Sequence, residues 1–168
     1  MRTILLSTVL AAAIAGTAFA QSAPPAPPPM KTFTSSAEVT ALIAQAKAQL
    51  KPGQAMIGLP ILSLAPYRAG LEYRAGNNPP SVHEKDAEMF YVIEGTGTLI
   101  TGGKLVDEKR NNANNLGGSA IAGGTSQAIA KGDFIIVPEN TAHQIMPTGG
   151  APIVLMAFHA PRPAANWP

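Results

Sequence analysis

The chain has 168 residues, 46% of them apolar, enough for one domain with its own core and too apolar for disorder throughout. Its formal charge is +2, and +1 without Arg2 of the leader described below, so there is no electrostatic case for a nucleic-acid partner. Cysteine is absent, which excludes disulfides, thiolate metal ligands and cysteine nucleophiles.

The first twenty residues, MRTILLSTVLAAAIAGTAFA, combine a basic start at Arg2, an apolar run from Ile4 to Ala15 and the trio Ala18-Phe19-Ala20. That order is the pattern of an export signal cleaved after Ala20, with Gln21 as the new N-terminus. The apolar run is too short for a comfortable membrane span. The expectation is a signal peptide over residues 1–20 and a periplasmic or secreted protein with no stable membrane span after cleavage. Ser22 to Pro29, SAPPAPPP, reads as an extended tether. Residues 21–33 are therefore taken as a Pro-rich linker ahead of a single domain over residues 34–168.

Thr34 to Leu50, TSSAEVTALIAQAKAQL, predicts a short amphipathic helix. Ser35 or Ser36 caps it, Glu38 follows in the first turn, and Pro52-Gly53 stops it. Val39, Leu42, Ile43, Ala46 and Leu50 share one helical face. From Met56 onward the pattern changes to short segments rich in β-branched and aromatic residues, each ended by turn residues. Such a run of strands with no intervening helix predicts a sandwich or barrel. Leu105 to Gly124, LVDEKRNNANNLGGSAIAGG, is polar, rich in Asn and Gly and without periodicity. It predicts a long loop between two strands. No internal repeat appears, so one barrel is expected.

Two stretches carry the chemistry. Ser81 to Gly97, SVHEKDAEMFYVIEGTG, gathers one histidine and four acidic residues around an apolar run that ends in glycine. Gly132 to His143, GDFIIVPENTAH, reads as a Gly-Asp turn, a buried strand stopped by Pro138, a turn at Glu139-Asn140 and a returning strand that begins with His143. Asn140 accepts left-handed geometry where glycine is commoner. In this order the two stretches resemble the two motifs of the cupin family. Glu88, six residues and Gly95 match the end of the first motif. Gly132, Pro138 and His143 match the second, with Asn140 standing for its second glycine.

The resemblance implies an all-β fold: a cupin-type antiparallel β-barrel or jelly roll of six to eight strands in two facing sheets, with one N-terminal helix packed outside. It also implies a metal site. His83 falls on the second histidine position of the first motif, so His83, Glu88 and His143 carry over as ligands of one divalent ion. Ser81 falls on the first histidine position and Pro147 on the closing asparagine. Two imidazoles and a carboxylate leave positions open and suit iron, manganese, zinc or nickel. His83 and Glu88 are expected to turn inward while Glu84, Lys85 and Asp86 occupy an exposed turn.

Ser81, Tyr73, Arg74 and Lys85 are candidates for substrate binding. Alternation along the strand sends one of Tyr73 and Arg74 inward. An inward arginine clamps a carboxylate, and an outward one sits in a surface ion pair. Lys85 either puts a positive charge near the site or points to solvent. His159, past the last apolar run, reads as a tail histidine near the surface, and Trp167 lies in a Pro-rich tail. There is no G-x-S-x-G elbow, P-loop, dinucleotide fingerprint or EF-hand spacing. Two functions stay open. One is a metal-dependent oxygenase, isomerase or lyase acting on a small organic molecule, with its catalytic residues unassigned. The other is a non-catalytic small-molecule-binding cupin, with or without metal. A homodimer is compatible with both.

Overall fold

A computed structural model describes residues 29–162. The expected signal peptide, residues 21–28 of the linker and Trp167 lie outside the described residues. Among the described residues, no helix is long and apolar enough to cross a membrane.

The predicted helix forms as α1 (Ser36–Gln49). Ser35 caps it with a reciprocal pair of bonds. The Glu38 backbone N–H donates to Ser35 Oγ at 3.2 Å, and the Ser35 backbone N–H donates to Glu38 Oε2 at 2.8 Å. This capping box satisfies two helix-end donors that have no intrahelical partner. The face formed by Val39, Leu42, Ile43, Ala46 and Leu50 packs on an apolar cluster built around Leu71, Tyr73 and Val154.

Thirteen strands follow: β1 (Met56–Leu64), β2 (Tyr67–Arg74), β3 (Ser81–His83), β4 (Asp86–Glu94), β5 (Thr96–Thr101), β6 (Lys104–Val106), β7 (Lys109–Asn112), β8 (Asn115–Gly117), β9 (Ala120–Ala122), β10 (Thr125–Ala130), β11 (Phe134–Val137), β12 (His143–Pro147) and β13 (Ile153–Pro161). They form two larger antiparallel sheets and a ribbon. The first sheet has the order β1-β2-β13-β4-β11, the second β10-β5-β12-β3-β8-β7, and β6 pairs with β9. This is the expected antiparallel jelly roll with one helix outside, although the strand count exceeds six to eight. The excess comes largely from residues 105–124, which form β7 to β9 and most of β6 and not the expected long loop. These strands are three or four residues long, too short to show alternation.

Alternation along the first sheet divides its residues between two cores. Phe90 and Val92 of β4 and Ile153, Leu155 and Ala157 of β13 face the second sheet and pack with Leu99, Ile129 and Ile145. The intervening Ile93, Val154, Met156 and Phe158, with Leu71 and Tyr73 of β2, face outward toward the α1 cluster. The helix touches β1 and β2. Met89, Phe134 and Ile136 on β4 and β11 remain exposed.

Both motif turns have a local cause. Gly95 has φ +84°, and a Cβ there would sit 2.4 Å from the Pro152 carbonyl oxygen, so only glycine fits. Asn140 has φ +59°, the left-handed geometry expected of the residue that replaces the motif glycine.

Candidate metal centre

Three imidazoles converge on one carboxylate between the two sheets. Glu88, on β4 of the first sheet, is 3% exposed. His83 ends β3 and His143 begins β12, both in the second sheet. Their Nε2 atoms each lie 3.0 Å from Glu88 Oε2. His159 arrives from the first sheet, where β13 pairs it directly across from Glu88. Its Nε2 lies 3.2 Å from Glu88 Oε1. Donor atoms of His83, Glu88 and His159 all fall within 4.8 Å of one another, and His143 joins them through Oε2.

The far side of each ring decides which tautomer it holds. His83 Nδ1 donates to Asn115 Oδ1 at 2.8 Å, across the β3–β8 pairing. His143 Nδ1 donates to the Thr141 carbonyl at 3.1 Å. With Nδ1–H committed outward, each neutral ring turns the Nε2 lone pair toward the same carboxylate oxygen. Two lone pairs facing one anionic oxygen need a cation between them, either protons or a metal ion. A ligating histidine ordinarily donates its other N–H to an acceptor, and both rings do so. The donor set is nitrogen and oxygen without sulfur, which suits the first-row divalent ions. The residues therefore fit a divalent metal.

Without a metal, protons take the place between the rings and the carboxylate. Burial raises the Glu88 carboxyl, but hydrogen bonds from His143 and His83 outweigh it and hold the group well below the usual carboxylate range. Burial likewise opposes the charged form of His83, yet its bonds with Glu88 and Asn115 raise it above the ordinary imidazole value. His159 moves the other way, lowered by burial. Its Nδ1 is buried without a hydrogen bond among the described residues, with Asp86 Oδ2 at 3.8 Å.

A cavity of about 220 Å³ opens beside the cluster, lined also by Glu72, Arg74, Asn78, Ser81 and Gln144. A larger cavity of about 630 Å³ shares Asn78 and Ser81 with it and runs out to Asp107, Lys109 and Ser119 of the region expected as a loop. Ser81 Oγ lies 3.4 Å from His143 Nε2. Of the strand pair 73–74, Arg74 faces the cavity, while Tyr73 is buried in the outer core on the other side of the sheet. Lys85 is exposed on the turn and does not line the cavity, so neither Tyr73 nor Lys85 belongs to this site. Asp86 is also off the expected exposed turn. It opens β4, partly buried, and pairs with Arg68 at 3.5 Å.

The expectation that His159 is a surface tail residue is overturned. Ile153, Leu155 and Ala157 face inward, and the same alternation carried two residues further brings His159 into the cluster. Glu72 was likewise missed, although it shares the strand face of Arg74.

Two facing antiparallel sheets with an imidazole–carboxylate cluster between them define a jelly roll with a candidate metal centre. Residues 54–166 match the sequence model described as Cupin, and the chain belongs to the cupin family. It is 30% identical over 130 residues, 75% of its length, to germin-like protein subfamily 2 member 1 of Arabidopsis thaliana. The chain spans about half, 48%, of that relative's length. Among solved structures, TT1209 from Thermus thermophilus matches with a TM-score of 0.51 at 18% identity, over 71% of this chain and 95% of that one. The structure of FeII HppE matches with a TM-score of 0.50 at 14% identity, over 64% of this chain and 52% of that one. At such identities the likeness to solved structures is one of fold.

Proposed function

We propose that this chain is an exported, metal-dependent cupin enzyme acting on a small organic molecule, with oxygenation, isomerisation and lyase chemistry as the reaction classes it suits. The observation that carries the reading is the shared oxygen: two imidazoles with outward-committed Nδ1–H groups both aim Nε2 at Glu88 Oε2, at 3.0 Å each. His83, Glu88 and His143 hold the divalent ion, and His159 adds a fourth donor. When bound, that ion supplies Lewis-acid polarisation of a substrate oxygen. Asn115 and the Thr141 carbonyl fix the two rings, and the cavity beside them admits the substrate. FeII in the name of HppE supports iron as one candidate metal. Serine at position 81, a poor ligand, would favour a non-catalytic pocket without metal, and His159 weakens that alternative by supplying a further donor.

The test is metal analysis of the full chain, purified without chelator or histidine tag, beside His83→Ala, His143→Ala and His159→Ala. Near-stoichiometric metal in the parent and background levels in the variants are expected. An empty parent after iron, manganese, zinc and nickel have each been offered would leave a metal-free binding pocket in place of the enzyme. The intact mass of the same exported preparation, expected to begin at Gln21, tests cleavage after Ala20.

A further inference from the structure

Arg74 and Asn78 form a wall of the cavity whose donors outnumber their partners among the described residues. Arg74 is 9% exposed on β2. Its Nε and Nη2 donate to a single oxygen, Glu72 Oε2, at 2.9 and 2.6 Å, and its Nη1 donates to the Ile145 carbonyl at 3.1 Å. The guanidinium carbon lies 5.8 Å from the centre of the buried Phe90 ring. A guanidinium has about five N–H donors. Three are used here, so the fork is held in place with N–H groups left over.

On the same cavity lining, Asn78 Nδ2 is buried with no hydrogen-bond partner among the described residues. The loop that carries Asn78 is pinned, because Gln144 Nε2 donates to the Asn78 backbone carbonyl at 2.6 Å. A pinned, buried amide with nothing to donate to costs stability unless something else supplies the acceptor. Both residues line the cavity that the cluster faces.

We propose that this wall makes the substrate a carboxylic acid, whose carboxylate accepts from the spare Arg74 N–H groups and from Asn78 Nδ2. The inference rests on reading the cavity as the substrate site. A carboxylate is an acceptor with two oxygens and no proton to place, which matches the spare donors of Arg74 and Asn78. An amide or alcohol brings N–H or O–H groups of its own and matches less well. Glu72 neutralises the guanidinium, so recognition follows the direction of the N–H groups more than net charge. The cavity of about 220 Å³ continues past Asn78 and Ser81 into the larger one of about 630 Å³, so this wall selects the acid's carboxylate and not the length of its chain. Met56 and Pro79 give the cavity an apolar side for the carbon chain.

The test is calorimetric titration of the full chain, as purified and after chelation, with acetate, lactate, pyruvate and malonate, each against its amide. Asn78→Leu and the double variant Glu72→Gln/Arg74→Met run beside the parent. The double variant removes both charges, so no carboxylate is left buried without a partner. Melting curves and metal content confirm that each variant is folded. At least one acid is expected to bind about 10-fold or more tightly than its amide, and to lose about as much in both variants while metal content stays unchanged. Equal binding of acid and amide, or undiminished acid binding in the variants, overturns the proposal. So does a metal-loaded parent that binds none of the acids, which would leave the metal centre standing. A parent without metal would instead sink the enzyme reading, and the acid–amide comparison on that protein would still decide this one.

Discussion

Glu88 is the residue on which the site depends. Three imidazoles reach one buried carboxylate from two sheets, and each does so because a cross-strand register puts it there. His159 lies opposite Glu88, Ser81 opposite His143, and Asn115 opposite His83. Position 81 thus already faces the site, and serine there brings a poor ligand to within 3.4 Å of His143 Nε2. If His159 supplies the donor that position 81 lacks, the two positions should substitute for each other. His159→Ala is expected to lose most of its metal, and Ser81→His in that background to restore most of it. Metal content and the visible spectrum of the cobalt-substituted protein would report both. Full loading of His159→Ala would remove His159 from the ligand set. His83, Glu88 and His143 were legible in the sequence through the resemblance of two short local motifs, although the strands of each motif go to different sheets. His159 was legible only through alternation, and Pro161 soon after it suggested a tail. Asn115 was hidden, because its role depends on a pairing of two three-residue strands far apart in the chain.

Helix α1 shows what local sequence can specify at the level of elements. Its cap, its apolar face and its end are all written within about four turns of chain, and the structure follows them. The strands between residues 104 and 122 are the opposite case. Their partners are set by the ladder and not by their own three or four residues. The capping box makes a prediction of its own. Hydrogen bonds from the Ser35 backbone and from Lys31 hold the Glu38 carboxyl down at about 2. A lowered carboxyl contributes stability above its ordinary value of 4.5 and loses it as pH falls toward 2. Amides in the first turn of α1 should therefore exchange faster as pH is lowered through this window, after correction for intrinsic rates. In Ser35→Ala the first turn should already be frayed at neutral pH, a cap loss of about 1 kcal/mol, and the acid step should shrink. An unchanged acid profile in that variant would mean that the capping box does not set the carboxyl.

Across the described residues, the first sheet separates two cores, and the imidazole–carboxylate cluster lies at the join of the two sheets. Glu88 and His159 come from one sheet, His83 and His143 from the other. The apolar core beneath runs up to the site, with the Phe90 ring centre 6.1 Å from that of His143. A metal ion held by this cluster would tie the sheets together where no disulfide is available, since the chain has no cysteine. Any ligand that binds only the folded state stabilises it in proportion to the logarithm of its excess over Kd, about 2.7 kcal/mol at 100-fold. In a domain of this size that is a rise in Tm of roughly 5–10 °C. Chelation of the metal-loaded protein should lower Tm by about that much, and re-addition of the ion should restore it. Glu88→Gln should melt at one temperature with or without chelator, because it lacks the carboxylate that both sheets share. A loaded parent whose Tm ignores the chelator would place the ion outside this cluster, since an ion bridging the sheets cannot leave without loosening their contact.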